Sequence, residues 1–137
     1  MLVSVKSSYI KDKVEKWHNE NIKVALVPTM GAIHNGHISL IKKAKKIANK
    51  VIVTIFVNPT QFSKNEDFNK YPRTRKKDLL KLRQAKVNLV FIPRTNQIYS
   101  KLKIKKYPIQ PLARDLCGKY RPHHFPGVCD VVIKLTR

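Results

Sequence analysis

Two hydrophobic patterns alternate along the chain. Val24-Ala25-Leu26-Val27 is short, continuous and partly β-branched, which suits a strand buried on both faces. Further on, Leu40, Ile41, Ala44, Ile47 and Ala48 recur at helical spacing, with Lys42, Lys43, Lys45 and Lys46 mostly opposite them, and this predicts an amphipathic helix. Val51-Ile52-Val53-Thr54-Ile55-Phe56-Val57 predicts a second buried strand, the strongest in the chain. Strand, helix and strand at this spacing form a βαβ unit with a right-handed crossover. Ahead of it, Ile10, Val14 and Trp17 predict a packing helix over residues 7–19, with Ser7 or Ser8 as its N-cap. Behind it, Tyr71-Pro72-Arg73-Thr74 leads into a helix carrying Leu79, Leu80 and Leu82 beside Arg75, Lys76 and Lys77. Residues 87–92 predict a third strand, stopped by Pro93. Val128, Val131, Val132 and Leu135 fall at i, i+3, i+4 and i+7 and predict a last helix, with Pro126 in its first turn. The polar stretch 63–69 reads as a loop, and residues 93–111 are irregular. The fold class is therefore α/β with a parallel sheet.

Between the first strand and its helix lies Pro28-Thr29-Met30-Gly31-Ala32-Ile33-His34-Asn35-Gly36-His37. A helix start presents unpaired N–H groups and the positive end of the macrodipole, so this turn is a seat for phosphate. Gly31 lets the backbone turn, and Gly36, lacking a Cβ, lets a ligand approach closely. His34 and His37 are three residues apart and project toward one face, where two imidazoles can hydrogen-bond a polyphosphate. After the second strand, Asn58-Pro59-Thr60-Gln61-Phe62 leaves the carboxyl end of the sheet, where open α/β folds place ligands. The amides of Asn58 and Gln61 both donate and accept, which suits a small hydroxy acid; an ordinary Asn-Pro turn is the competing reading.

Composition narrows the class. With 137 residues and 42% hydrophobic content the chain is a globular protein of one domain at most. Cys117 and Cys129 do not make a disulfide framework, and there is no signal-peptide pattern or long apolar run, which implies a reduced, cytoplasmic chain. The 29 Lys and Arg against 8 Asp and Glu give a net charge of +21, which suits ATP and also permits nucleic-acid binding. The basic residues are not grouped with an aromatic stacking platform, which favours scattered solvated lysines over a nucleic-acid surface. His34, His37, His123, His124, Cys117 and Cys129 lack paired knuckle spacing, so no metal site is expected.

The His34-x-Gly36-His37 signature after a strand resembles that of the adenylyl-transferring superfamily with a Rossmann-like fold. The longer blocks, residues 28–37, Phe56-Val57-Asn58-Pro59-Thr60-Gln61-Phe62, Tyr71-Pro72-Arg73 and Arg121-Pro122-His123-His124-Phe125-x-Gly127-Val128, resemble the pantothenate synthetase family, the pantoate–β-alanine ligases. The resemblance implies a Rossmann-like parallel sheet flanked by helices and ATP-dependent joining of pantoate and β-alanine through a pantoyl adenylate. It further implies release of AMP and pyrophosphate, use of Mg²⁺, and a homodimer. On the matching positions, Met30, Gly31, Ala32, Ile33, His34, Asn35, Gly36 and His37 form the ATP loop, with His34 and His37 catalytic and His37 the proton donor. Gln61 contacts pantoate and then β-alanine, Asn58 and Met30 belong to the same pocket, and Arg121 and His124 border it. His123 is a bystander, and Ser100 stands where the family usually has Pro after Tyr.

Members of the family continue past the position of Arg137 into further strands, a Gly-Glu-Lys-Asp loop and a small C-terminal domain. Residues 1–137 are thus expected to be an incomplete N-terminal nucleotide-binding domain whose strand at 24–27 lies at a sheet edge. Three alternatives stand beside the ligase reading: an inactive or partner-dependent fragment, a basic nucleic-acid-binding module, and a related adenylyl transferase. The last shares the histidine signature and lacks the Asn-Pro-Thr-Gln-Phe block.

Overall fold

The β-branched runs form a parallel sheet in the order β1-β4-β3-β2, from β1 (Leu2–Ser4), β2 (Val24–Thr29), β3 (Lys50–Ile55) and β4 (Leu89–Phe91). The computed structural model describes residues 1–62, 68–99, 111–115, 117–122 and 124–136. Residues 63–67, part of the stretch read as a loop, residues 100–110 including Ser100, and Leu116, His123 and Arg137 lie outside the described residues. Helices α1 (Ser7–Asn19), α2 (Asn35–Ile47), α3 (Arg75–Gln84), α4 (Thr95–Ile98), α5 (Cys117–Tyr120) and α6 (His124–Leu135) complete the order, with 3-10 turns at Pro59–Gln61, Phe68–Lys70 and Pro111–Arg114. The chain divides into two compact units, Met1–Val57 with Pro72–Arg94, and Asn58–Tyr71 with Thr95–Arg137.

The first unit contains the whole described sheet. β2 pairs with β3 from Val24↔Lys50 to Thr29↔Ile55, and β3 pairs with β4 through Val53↔Val90. Strand alternation puts Val27, Val51, Val53 and Val90 on one face, where they meet Ile41 and Ala44 of α2 and Leu82 of α3. That face is the core, and each fully buried aliphatic side chain in it contributes roughly 1.5–3 kcal/mol. Residues 51–54 of β3 and Leu89–Phe91 of β4 are buried, and both strands have paired neighbours on each side. β2 lies at the edge, and Val24, Ala25 and Leu26 are only half-buried. The β2–α2–β3 crossover anchors the turn between β2 and α2 at the carboxyl end of the sheet.

Two features differ from the sequence pattern. β1 was not expected, because three residues with exposed Leu2 and Val3 leave too short a signature; it pairs with β4 through Leu2↔Leu89. The N-cap of α1 is Lys6 rather than Ser7 or Ser8. Ser4 Oγ accepts the Lys6 N–H at 3.1 Å and turns the chain one residue earlier, so Ser7 already lies within the helix.

In the second unit, α6 packs on the Pro59–Gln61 turn. A Cβ on Gly127 would lie 2.4 Å from the Thr60 carbonyl oxygen, so glycine lets these two backbones touch.

Candidate functional site

In the first unit, the turn from β2 into α2 is fixed by polar groups from three elements. Thr29 donates its hydroxyl to the Thr54 carbonyl at 2.6 Å and accepts the Gly31 N–H at 3.2 Å. Gly31 and Ala32 both take positive φ, +85° and +49°. For alanine that conformation costs about 1 kcal/mol, so the surroundings must impose it. Asp78 of α3 does so. Its carboxylate, only 2% exposed, accepts the Ala32 N–H at 3.1 Å, the Ile33 N–H at 2.8 Å and the Thr74 hydroxyl at 3.2 Å. One turn further along α3, Lys81 Nζ donates to the Ile33 carbonyl. Ile33 itself is a core residue, 1% exposed, with both backbone groups paired.

The loop then enters α2 through a capping box built from the two histidines. His34 is the N-cap, and its Nδ1 accepts the Gly36 N–H at 3.1 Å. His37, at the third helical position, accepts the His34 N–H on its own Nδ1 at 3.4 Å. The ring centroids are 4.0 Å apart. A Cβ on Gly36 would lie 2.9 Å from the His34 ring, so this glycine makes room for the capping imidazole. With each Nδ1 serving as an acceptor, the neutral rings carry their protons on Nε2. Each imidazole therefore offers one N–H donor to a ligand. Asn35 is exposed at the first helical position, and Met30 is half-buried just after β2.

Burial holds the His37 imidazole below its ordinary pKa of 6.5; the neighbouring His34 lowers it further, while the Asp78 carboxylate opposes both. In the window between the lowered folded value and about 6.5, the unfolded chain binds more protons than the folded one, so stability rises with pH. This contribution is fully present above about pH 6.5 and is lost as pH falls through the folded value. We expect the urea midpoint to be lower at pH 5 than at pH 7.5, by a smaller margin in His37→Gln. Equal margins in both proteins would refute the assignment.

The second unit assembles the amide-bearing residues. Asn58 is fully buried; its Nδ2 donates to the Gly127 carbonyl at 3.1 Å, and its Oδ1 accepts the Thr60 N–H at 3.2 Å and the Tyr99 hydroxyl at 2.9 Å. Asn58 thus starts the turn, as an Asn-Pro turn reading expects, and its side chain also joins that turn to α6 and Tyr99. Gln61 is 7% exposed, and its carbonyl lies 3.3 Å from His124 Nδ1. The His124 N–H donates to the Arg121 carbonyl at 3.0 Å, which brings Arg121, His124 and Gln61 together. Burial raises the Tyr99 phenol, the Thr60 contact opposes this, and Asp130 raises it again, so Tyr99 acts as a neutral donor. Lys134 Nζ sits 3.3 Å from the buried Asp130 carboxylate and 4.3 Å from the centre of the Tyr99 ring.

Asp78, Thr29, Lys81 and Tyr99 carry no role in the sequence reading. The available signal for Asp78 was its spacing, four residues before Leu82 and hence on the buried face of α3. Among the described residues no three His, Cys, Asp or Glu side chains gather to hold a metal, and no helix is long and apolar enough to cross a membrane.

A parallel sheet flanked by helices, with a histidine-capped helix after its edge strand, defines a Rossmann-like α/β protein. The chain belongs to the pantoate–β-alanine ligase family, whose model matches residues 3–137. It is 49% identical over 132 residues to the pantothenate synthetase of Ruthia magnifica, covering 96% of this chain and 47% of that protein. It is 45% identical over 126 residues to that of Enterococcus faecalis, covering 92% and 45%. The crystal structure of the Francisella tularensis pantoate–β-alanine ligase, in complex with β,γ-ATP and β-alanine, superposes with a TM-score of 0.85 at 41% identity, covering 98% of this chain and 52% of that one. The chain spans about half the length of the curated relatives it matches.

Proposed function

We propose that this chain provides the nucleotide loop and the pantoate-binding residues of an ATP-dependent pantoate–β-alanine ligase that works through a pantoyl adenylate. The observation that carries the reading is the double-histidine cap of α2, which leaves two Nε2–H donors at the positive end of a helix. The F. tularensis structure, which is complexed with β,γ-ATP and β-alanine, supports ATP and β-alanine as ligands.

A carboxylate is a poor electrophile until one of its oxygens becomes part of a good leaving group. In the first step a pantoate carboxylate oxygen bonds to the α-phosphorus, the α–β phosphoanhydride bond breaks, and pyrophosphate leaves. In the second step the β-alanine amine attacks the activated carbonyl carbon, the C–O bond to AMP breaks, and the amine's proton is released. His34 and His37 donate hydrogen bonds to phosphate oxygens as charge moves onto the leaving pyrophosphate. His37 is neutral before binding, and bound phosphate raises its proton affinity, so it can protonate the leaving group once the nucleotide is in place. Gln61 holds pantoate and then β-alanine, with Asn58, Arg121 and His124 of the same unit around it, and Met30 is a pantoate-binding residue of the nucleotide loop.

Mg²⁺ belongs to this reading as a companion of the phosphates. The described residues form no cluster of three His, Cys, Asp or Glu that could hold it. We also propose a cytoplasmic homodimer, as the family resemblance implies.

Calorimetric binding of ATP with Mg²⁺, and separately of pantoate, to the 137-residue chain tests the proposal, followed by a pyrophosphate-release assay. Binding of both ligands is expected. Release would show that this chain alone adenylates, and binding without release would show that the remaining length of the family is needed. A folded chain that binds neither ligand would overturn the reading.

A further inference from the structure

Building on the nucleotide-site reading above, we propose that Asp78 is the positioning residue of the phosphate loop. Its carboxylate, rather than a bound phosphate, is the anion held by the amides of Ala32 and Ile33, and this leaves nucleotide phosphate to the His34–His37 pair. Successive backbone N–H groups in a tight turn can face a common point, a concavity that ordinarily collects an anion. At Gly31 and Ala32 that concavity is already filled, because the Ala32 and Ile33 N–H groups reach the two Asp78 oxygens at 3.1 and 2.8 Å. The carboxylate is buried, and Thr74 braces both of its oxygens at 3.2 Å. Lys81 grips the Ile33 carbonyl from the same face of α3, so one helix holds both polar groups of Ile33. A phosphate approaching those two amides would meet a buried negative charge.

The consequence is directional. Fixing Ala32 and Ile33 sets where His34 begins α2, and with it the capping box that keeps both Nδ1 atoms occupied and both Nε2–H groups available. The charges that act on His37 are His34 on its own helix start and Asp78 on α3, while Lys81 of α3 holds the Ile33 carbonyl. Asp78 supplies the negative charge that supports a proton on His37.

The test is Asp78→Asn in the 137-residue chain, followed by NMR and by calorimetry with ATP and, separately, pantoate. The amide keeps the shape but removes the charge and one acceptor. We expect hydrogen-exchange protection at Ala32 and Ile33 to fall about tenfold, and ATP affinity to fall by a similar factor. The His37 titration should move to lower pH, and pantoate affinity should stay unchanged. Unchanged protection together with an unchanged His37 titration would overturn the proposal. Equal loss of ATP and pantoate affinity would reduce Asp78 to general scaffolding, and tighter ATP binding would show that the amides do take phosphate; either result overturns it. If the unaltered chain binds no ATP, the nucleotide reading fails, while the NMR comparison still decides the role of Asp78. Should Asp78→Asn not fold, Thr74→Val, which removes only the bracing hydroxyl and keeps the charge, is expected to lower protection at Ala32 and Ile33 and ATP affinity by less, and no movement of either would refute the proposal.

Discussion

Alanine at position 127 is expected to destabilise the second unit by about 3 kcal/mol, the upper range for forcing an atom into a packed contact. The added Cβ would lie 2.4 Å from the Thr60 carbonyl oxygen, 2.8 Å from its carbon and 3.0 Å from the Gln61 nitrogen. These are all backbone atoms, so no side chain can rotate away; α6 must separate from the Pro59–Gln61 turn. Separation would also break the bond from Asn58 Nδ2 to the Gly127 carbonyl and leave a fully buried amide without that acceptor. Gly36→Ala should cost less, because the atoms it meets belong to the His34 ring, which can move at the expense of the cap. Urea denaturation checks the magnitude, and hydrogen exchange along α6 checks the location. Native-like protection of α6 in Gly127→Ala would contradict the close-packed glycine.

The same contrast between local pattern and distant contact explains what could be read from the chain. The βαβ unit was legible because its signals are local: a continuous apolar run, an amphipathic helix and a second apolar run. The histidine pair was legible for the same reason, since its spacing sets its geometry. Asp78 was not, because Arg75-Lys76-Lys77-Asp78 reads as a charged, solvated helix start, whereas burial of the last member depends on a loop 45 residues away in sequence. Tyr99 follows the four-residue helix α4 in a segment without periodicity, and only the folded chain brings its hydroxyl to Asn58 and Thr60. Gly127 read as the end of a loop just before the helical pattern of Val128, Val131, Val132 and Leu135, whereas α6 already starts at His124, and the backbone it approaches could not be inferred from either. β1 was obscured by its length and exposure, and the cap of α1 by a serine side chain outside the helix.

His37→Gln should separate the chemistry of the loop from its architecture. Glutamine at the third helical position is a standard capping-box residue, because its side-chain oxygen can accept the N-cap N–H that His37 Nδ1 accepts here. The helix start should therefore survive, with thermal stability at pH 7.5 close to that of the unaltered chain. The carboxamide still donates a hydrogen bond, yet it cannot take up and deliver a proton. Under the adenylation mechanism, pyrophosphate would leave without its proton donor, and the adenylation rate should fall about a hundredfold. ATP affinity should change less than the rate, since His34 keeps its own donor and its cap on Gly36. The pH dependence that His37 contributes to the rate should also disappear. Rate and affinity falling together would make His37 a binding group alone, and an unchanged rate would remove it from the chemistry. Pyrophosphate release, measured across pH in whichever form of the enzyme proves active, distinguishes these outcomes.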